Sequence, residues 1–393
     1  MASERPRRPR SPAPVPTSVP GLVSVLMPLY NAEQYVGRAI QSLMAQSYER
    51  WELVLVEDGS TDGSRDVVDR YPDPRMKVTH QANAGESAAR NAALSQAEGQ
   101  FLAFLDADDV YLPNHLELTV GHLLAHPELG GVYTDGYYCD QSENLLQTLS
   151  SRRRGPFEGR LFEQVVRGPD VFGPPVCVVL RSRVVRQYGL RFDERIVIGP
   201  DWDFFTQFTD KADFGYVDQK TCLYRIHSSS ISTRTDLQKR ARHLAQCRMK
   251  AVKMPSFGSC SVEARYEVFY DLLVNLLRGF PERQAEVTRW PEFEALPPAI
   301  QGKLLRLMAS RSLLNQGGQS SKEKLSSKRE QERIGDWIRR SRDLNPADWR
   351  AALLSAAHRL SPLLCKGLLA IKYRRQIDPM TVPPLADLKK IKP

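Results

Sequence analysis

Leu22–Tyr30 reads LVSVLMPLY, a nearly continuous apolar run of strand length. Such a run marks a strand covered on both faces. The amphipathic stretch behind it, Ala32–Gln46, carries Val36, Ile40 and Leu43 at helical spacing. The cycle then repeats: strand Glu52–Val56 and helix Ser64–Tyr71, strand Met76–Thr79 and helix Glu86–Glu98, strand Phe101–Leu105 and helix Pro113–His126. Strand and helix alternating four times predict an α/β fold, a mostly parallel sheet flanked by helices.

Polar residues cluster at one phase of this cycle. Tyr30 and Asn31 follow the first strand, Glu57 and Asp58 the second, His80–Gly85 the third and Asp106–Asp109 the fourth. All four places are carboxyl ends of strands, and open α/β sheets bind ligands in the crevice along that edge. Four dispersed segments therefore converge on one candidate site.

After His126 the pattern becomes strand-rich, with Gly131–Tyr138, Val176–Leu180 and Gly215–Tyr224, and a helix expected over Asp203–Phe208 behind the loop Pro200-Asp201-Trp202. From about Leu237 the chain reads as all-helical. Asn315–Glu332 reads as a linker, and Asn345-Pro346 and Ser361-Pro362 read as the starts of two final helices. The expected organisation is a disordered basic Pro-rich tail (1–20), an α/β domain (21–236) and a basic helical region (237–393).

Charge divides along the same lines. The chain of 393 residues has a net charge of +9, but residues 21–238 carry 21 basic against 30 acidic side chains, while 239–393 carry 30 against 15. An acidic front and a basic back point to modules with different partners. No recognition motif accompanies the positive charge, so nucleic acid is not an expected partner. No apolar run is long enough to span a bilayer. The six cysteines stand at 139, 177, 222, 247, 260 and 365, without a C-x-x-C or Cys/His cluster. That excludes a zinc-finger or disulfide framework and fits a reducing, cytoplasmic compartment.

Asp106, Asp108 and Asp109, with Glu117 further on, suggest a hard-cation site for Mn2+ or Mg2+. A lone D-x-D is weak evidence, since 24 Asp produce one or two by chance, and a second stands at Asp201/Asp203. Position distinguishes the first, because it ends a buried strand. The competing reading makes Asp109 or Asn114 a helix cap. Glu57–Ser64 reads either as a polar turn or as a loop whose first carboxylates accept hydrogen bonds from a base or ribose. Arg90, one turn inside its helix, reaches a phosphate or base, or is simply solvated.

VSVLMPLYNAEQYV (Val23–Val36), ELVLVEDGSTDGS (Glu52–Ser64), HQANAGESAARNAAL (His80–Leu94), FLAFLDADD (Phe101–Asp109), GPDWDFF (Gly199–Phe205) and YRIHSSSIS (Tyr224–Ser232), in this order, resemble glycosyltransferase family 2 enzymes of the GT-A fold. The resemblance covers about Gly21–Arg234. It implies an inverting, metal-dependent transfer of a hexose or N-acetylhexosamine from a nucleotide diphosphate sugar, UDP first, to a hydroxyl on a saccharide, lipid-linked or protein-linked acceptor. It further implies that Tyr30, with Pro28 and Asn31, packs on the nucleotide, that Glu57 and Asp58 reach the base or ribose, and that Arg90 helps hold the nucleotide. Asp106 would lie near the ribose, Asp108 and His227 would contact the metal or diphosphate, and Asp201 would be the general base.

Two positions depart from the family pattern. Glu57 stands where Asp is usual, and Pro200 where Glu is common. Pro200 keeps open a different class of function, a non-catalytic nucleotide-sugar sensor or scaffold. Residues 350–375 set Leu353, Leu354, Leu360, Leu363, Leu364, Leu368 and Leu369 among Arg350, Arg359, Lys366, Lys372, Arg374 and Arg375. This stripe lies on an anionic membrane surface as a peripheral contact, or it packs on the rest of the protein.

Overall fold

The computed structural model describes residues 18–227, 236–315 and 324–360, together with Leu369. The chain falls into two compact units that interleave in sequence. The first holds the residues up to Gly159, Phe172–Phe192 and Lys211–Ile226; the second holds Arg160–Val171, Asp193–Asp210 and the chain from His227 onward.

In the first unit the elements are β1 (Val19–Leu29), α1 (Val36–Met44), β2 (Trp51–Asp58), α2 (Ser64–Val68), β3 (Met76–Gln81), α3 (Glu86–Gln96), β4 (Gly99–Phe104), β5 (Val110–Tyr111), α4 (His115–Ala125), β6 (Gly131–Cys139), β7 (Leu145–Thr148), β8 (Val178–Arg181), α6 (Ser182–Tyr188) and β9 (Phe214–Arg225). The second unit contains α5 (Phe162–Arg167), α7 (Pro200–Thr209), α8 (Leu237–Val252), α9 (Val262–Gly279), α10 (Pro298–Asn315), α11 (Lys324–Leu344) and α12 (Trp349–Leu360).

The sheet runs β3-β2-β1-β4-β8-β6-β9-β5, with β7 beside β6. β3, β2, β1 and β4 are mutually parallel, as the alternating pattern predicts. Beyond β4 the sheet is mixed: β8 is antiparallel to both β4 and β6, β6 is parallel to β9, and β5 is antiparallel to β9. The expected α/β fold is therefore present, with a sheet that is parallel in its front half and mixed beyond it. β6 and β7 are antiparallel because a turn as short as 140–144 joins them, and parallel neighbours need a long crossover.

Why the front half forms is visible in its burial. All eight residues of β2 are buried, and Val23, Val25 and Leu26 of β1 and Phe101 and Ala103 of β4 join the same core. On α1, Val36, Ala39, Ile40 and Leu43 form the inward face at helical spacing. A buried polar knot fastens the strand starts: the Ser24 hydroxyl donates to Glu52 (2.5 Å) and accepts from Gly99 N (2.8 Å), and Glu52 accepts from Glu98 N (2.8 Å). β1 begins at Val19, inside the segment read as tail, because Val19 N donates to Glu98 O at 2.9 Å and continues the ladder.

The second unit has its own apolar core, built from Phe162 and Val166 of α5, Ala245 and Val252 of α8, Phe269 and Leu273 of α9, Leu304 and Met308 of α10, and Ile334 and Trp337 of α11. Asp236 caps α8 by accepting from Gln238 N and Lys239 N, and Ser261 caps α9. Residues 324–332, read as linker, are helical in α11. Their low apolar content hid a helix whose anchors, Ile334, Trp337 and Ile338, lie further along. The start of α12 is Asp348 and not Asn345: Asp348 accepts from Arg350 N at 3.0 Å. Leu354 and Leu369 enter the helical core while Leu353 is exposed; the Ser361-Pro362 helix start and most of the basic stripe lie outside the described residues. No helix among the described residues is long and apolar enough to cross a membrane.

Candidate active site

Because β1 to β4 are parallel, their carboxyl ends share one edge, and the loops that follow them are tied together there. Asn31, after β1, has a positive φ of 49°, a conformation Asn tolerates better than most residues. Its side-chain Oδ1 accepts from Thr61 N at 2.8 Å, and its backbone N–H donates to the Ser60 hydroxyl at 3.1 Å. Ala32 N donates to Ser64 Oγ, Glu33 N to Asp62, and Gly63 N back to Glu33. The β1 and β2 loops thus form one laced rim, from which Tyr30 stands half exposed; Pro28, inside β1, is partly buried.

Glu57 and Asp58, adjacent at the end of β2, face different partners. Glu57 is buried and accepts from Ser60 N, from Arg65 Nε (2.7 Å) and from His80 Nδ1 (3.3 Å). Burial would raise its pKa, but the bonds from Ser60, Arg65 and His80 outweigh it and hold the carboxyl below its usual range. Its longer side chain is used to brace the 57–65 loop. Asp58 reaches the next loop instead, accepting from Gln81 Nε2 (2.7 Å), Ala84 N (2.9 Å) and Gly85 N (2.8 Å). Gly59 lies where these loops meet: its φ is +73°, and a Cβ there would come 2.8 Å from Asn83 N.

Behind the rim lies a layer of paired charges. Arg90 is only 2% exposed, against the sequence alternative of a solvated helix arginine. Its guanidinium meets Glu86 at 2.6 Å and both oxygens of Asp106 at 2.7 and 2.9 Å. Asp106 is half-buried and so is Asp108. Asp109 turns inward: it is buried and accepts from Arg225 N at 3.0 Å. Burial, with the charges of Asp108 and Asp106, pushes its pKa well above the usual carboxyl value. Arg225, at the end of β9, donates to Asp108 O (2.8 Å), Asp140 O (3.2 Å), Gln141 O (2.7 Å) and Glu143 (3.0 Å). One buried guanidinium therefore fixes the backbone of the Asp106–Asp109 turn. Glu117 is not part of that turn's chemistry; it accepts from the Ser47 hydroxyl at 2.6 Å on α4.

Asp201 and His227 belong to the second unit, and both are half-buried. Asp201 sits in the first turn of α7, which opens with Gly199 in the left-handed region and Pro200 in the first turn. Proline suits a helix's first turn, since its missing N–H is not needed there. Pro200 is thus accounted for by the helix start. Asp203 is 1% exposed and paired with Lys250 Nζ at 2.5 Å, which also meets Asp193 at 3.1 Å.

The sequence model of the family described as "Glycosyl transferase family 2" matches residues 24–189. Over these residues the chain is similar to glycosyltransferase family 2. The matched stretch includes the β1, β2, β3 and β4 loops and Arg90; Asp201, His227 and α8 lie outside it. Among curated relatives, UDP-Glc:alpha-D-GlcNAc-diphosphoundecaprenol beta-1,3-glucosyltransferase WfgD of Escherichia coli is 42% identical over 26% of this chain and 41% of its own length. Putative glycosyltransferase EpsH of Bacillus subtilis is 31% identical over 54% of this chain and 63% of its own. The chain therefore spans about two fifths to three fifths of the length of these relatives. The crystal structure of S. aureus TarS superposes with a TM-score of 0.50 at 15% identity, over 84% of this chain and 54% of that one, a likeness of fold.

The expected cation cluster needs a correction. Among the described residues no three His, Cys, Asp or Glu side chains are gathered as a metal cage. Arg90 meets both oxygens of Asp106, Asp109 accepts from Arg225 N and Glu117 from Ser47, and Asp106 and Asp108 are the half-buried carboxylates of the turn. That donor set fits a magnesium-type ion that arrives with phosphates, because such ions need only one or two carboxylates and complete their shell from phosphate and water. Two features escaped the sequence reading. Arg225 stood in the YRIH segment beside the residue singled out, and its role needed the tertiary pairing of β9 with β6. Lys250 carries no local motif at all.

Proposed function

We propose that this chain transfers a hexose or N-acetylhexosamine from a nucleotide diphosphate donor to an acceptor hydroxyl, with inversion at the sugar carbon. The observation that carries the reading is the convergence of Tyr30–Asn31, Asp58, Arg90–Asp106 and Asp108 along one edge of four parallel strands in the stretch similar to family 2. UDP is the first donor nucleotide to test, since a relative 42% identical over its matched stretch is named for UDP-glucose.

In this reading Tyr30 stacks on the base, with Pro28 and Asn31 shaping the wall, and Asp58 accepts from a base N–H. Glu57 acts through the loop it braces. Arg90 holds Asp106 toward the ribose, and Asp108 with His227 would hold Mn2+ or Mg2+. That ion, when bound, neutralises the charge on the departing diphosphate. Asp201 accepts the proton of the attacking hydroxyl, which is a poor nucleophile until a carboxylate within hydrogen-bond reach takes it. Residues 21–236 would carry the transfer and 237–393 would support it.

The acceptor is a saccharide, free or carried on lipid or protein. Helix α12 exposes Trp349 and Leu353, four residues apart, beside the exposed Arg350. This supports peripheral contact with an anionic membrane on the cytoplasmic side. Vesicles rich in anionic lipid should sediment the protein at low salt and release it at high salt; no sedimentation at low salt removes that part. The main test is a panel of nucleotide sugars with Mn2+, followed by nucleotide release. Release only in the presence of acceptor, abolished by Asp108→Ala and Asp201→Asn, is expected. Donor binding without turnover on a broad acceptor panel would favour the non-catalytic sensor instead.

A further inference from the structure

One face of α8 holds the segment that carries Asp201. His243, Cys247 and Lys250 stand at positions i, i+4 and i+7, so they line one side of the helix. His243 Nδ1 accepts from Ile198 N at 3.1 Å, and the Cys247 thiol lies 3.7 Å from Gly199 O as a donor. Lys250 Nζ donates to Asp203 at 2.5 Å and to Asp193 at 3.1 Å. Asp193 is itself held by Arg195 through Nε (2.9 Å) and NH2 (2.8 Å). Beside this face, the Arg248 guanidinium lies 4.8 Å over the Trp202 ring, whose Nε1 donates to Val165 O at 2.7 Å.

Residues 198, 199, 202 and 203 are thus each gripped, and Asp201 lies between them. Gly199 at φ +78° turns the chain sharply into α7, so the direction of that first turn depends on what holds its two sides. The strongest hold is Lys250. Asp203 is almost wholly buried, and its Oδ1 has no hydrogen-bond partner among the described residues. Burial pushes its carboxyl up and the Lys250 charge pulls it back. A buried carboxylate that loses its cation either protonates or moves toward water, and α7 moves with it.

We propose that α8 is the mount of Asp201, with Lys250 as a positioning residue for the transfer step. The inference rests on the reading of Asp201 as the proton acceptor. It gives the helical region beyond residue 236, which lies outside the matched family stretch, a part in the chemistry. A misplacement of about 1 Å caused by a residue remote from the reacting atoms costs about 100-fold in rate.

The test compares wild type, Lys250→Met, Lys250→Arg and Asp203→Asn in the full chain, by steady-state kinetics and by hydrogen exchange of the 196–203 amides. For Lys250→Met the expected result is a fall in kcat of about 10- to 100-fold, with the donor KM unchanged within about twofold. Exchange at 196–203 should quicken while β1 to β4 keep their protection. Lys250→Arg, which retains a cation between the two aspartates, should recover most of kcat. If Lys250→Met does not fold, Asp203→Asn, which keeps the shape and removes the charge, carries the same expectation. Wild-type kcat in the folded variant, or a loss expressed in donor KM alone, would overturn the proposal. If wild type itself transfers no sugar, the functional reading fails, and the exchange result still decides the mount: unchanged protection at 196–203 refutes it.

Discussion

Replacing Arg225 with Met tests how the Asp106–Asp109 turn is held. The substitution keeps most of the apolar stem and removes the guanidinium, leaving Asp108 O, Asp140 O and Gln141 O without their donor. Asp108 and Asp140 are half-buried and Gln141 is exposed, so each lost bond is taken at about 1 kcal/mol, the ordinary net worth of a hydrogen bond, and three come to about 3 kcal/mol. Glu143 adds little, because Arg38 still meets it at 3.0 Å. About 3 kcal/mol corresponds to roughly 150-fold in the folding equilibrium, and for a unit of this size to a fall of about 6–12 °C in Tm. Arg225→Lys should recover less than half of the loss, since one ammonium cannot serve carbonyls spread around a planar fork. The assay is thermal unfolding followed by circular dichroism, with donor kcat/KM measured at a temperature where the variant is folded. There kcat/KM should drop at least about tenfold, because the Asp108 backbone has lost its anchor. A melt within about 1 °C of wild type, together with unchanged turnover, would refute the reasoning.

Three further outcomes follow from other contacts. His115 is fully buried, and burial lowers its pKa to about 3; the unfolded chain takes up its proton near pH 6.5 while the folded chain does not, so stability falls as pH drops from about 6.5 toward 3. At pH 5 the His115 share is about 2 kcal/mol, and urea titrations of His115→Phe should show a shallower loss between pH 7 and 5; an unchanged slope would contradict this. Gly59→Ala adds a Cβ 2.8 Å from Asn83 N at φ +73°; with about 1–2 kcal/mol of left-handed strain, calorimetric titration should find UDP binding weakened by about tenfold, and wild-type affinity would show that the two loops do not need this approach. Arg90→Met leaves the half-buried Asp106 and Glu86 without their shared cation, a loss of about 1–3 kcal/mol for hydrogen bonds to charged groups; a change in unfolding free energy below about 0.5 kcal/mol would mean that Arg90 is solvated after all.

The candidate site was legible in the sequence wherever it depends on the ends of consecutive strands. LVSVLMPLY, ELVLV and FLAFL announce buried parallel strands by continuous apolarity, so Tyr30, Asp58 and Asp106 could be assigned to one edge before any coordinates. What those residues do to one another was not legible. Glu57 and Asp58 are neighbours in sequence, yet one braces its own loop and the other ties down Ala84 and Gly85. Asp106, Asp108 and Asp109 read as one acidic cluster, yet Arg90 claims the first and the Arg225 backbone N–H the last.

By itself the sequence determined the strand and helix alternation, the shared edge and the acidic front with a basic helical back, because periodicity and net charge are local sums along the chain. Tertiary structure alone decided the mixed rear half of the sheet, the burial of Arg90, the Arg225 anchor and the grip of Lys250 on Asp203. Each of those is a pairing between groups 16 to 117 residues apart. The partner of a buried charge is chosen by which surfaces pack together, and no window of sequence contains both members.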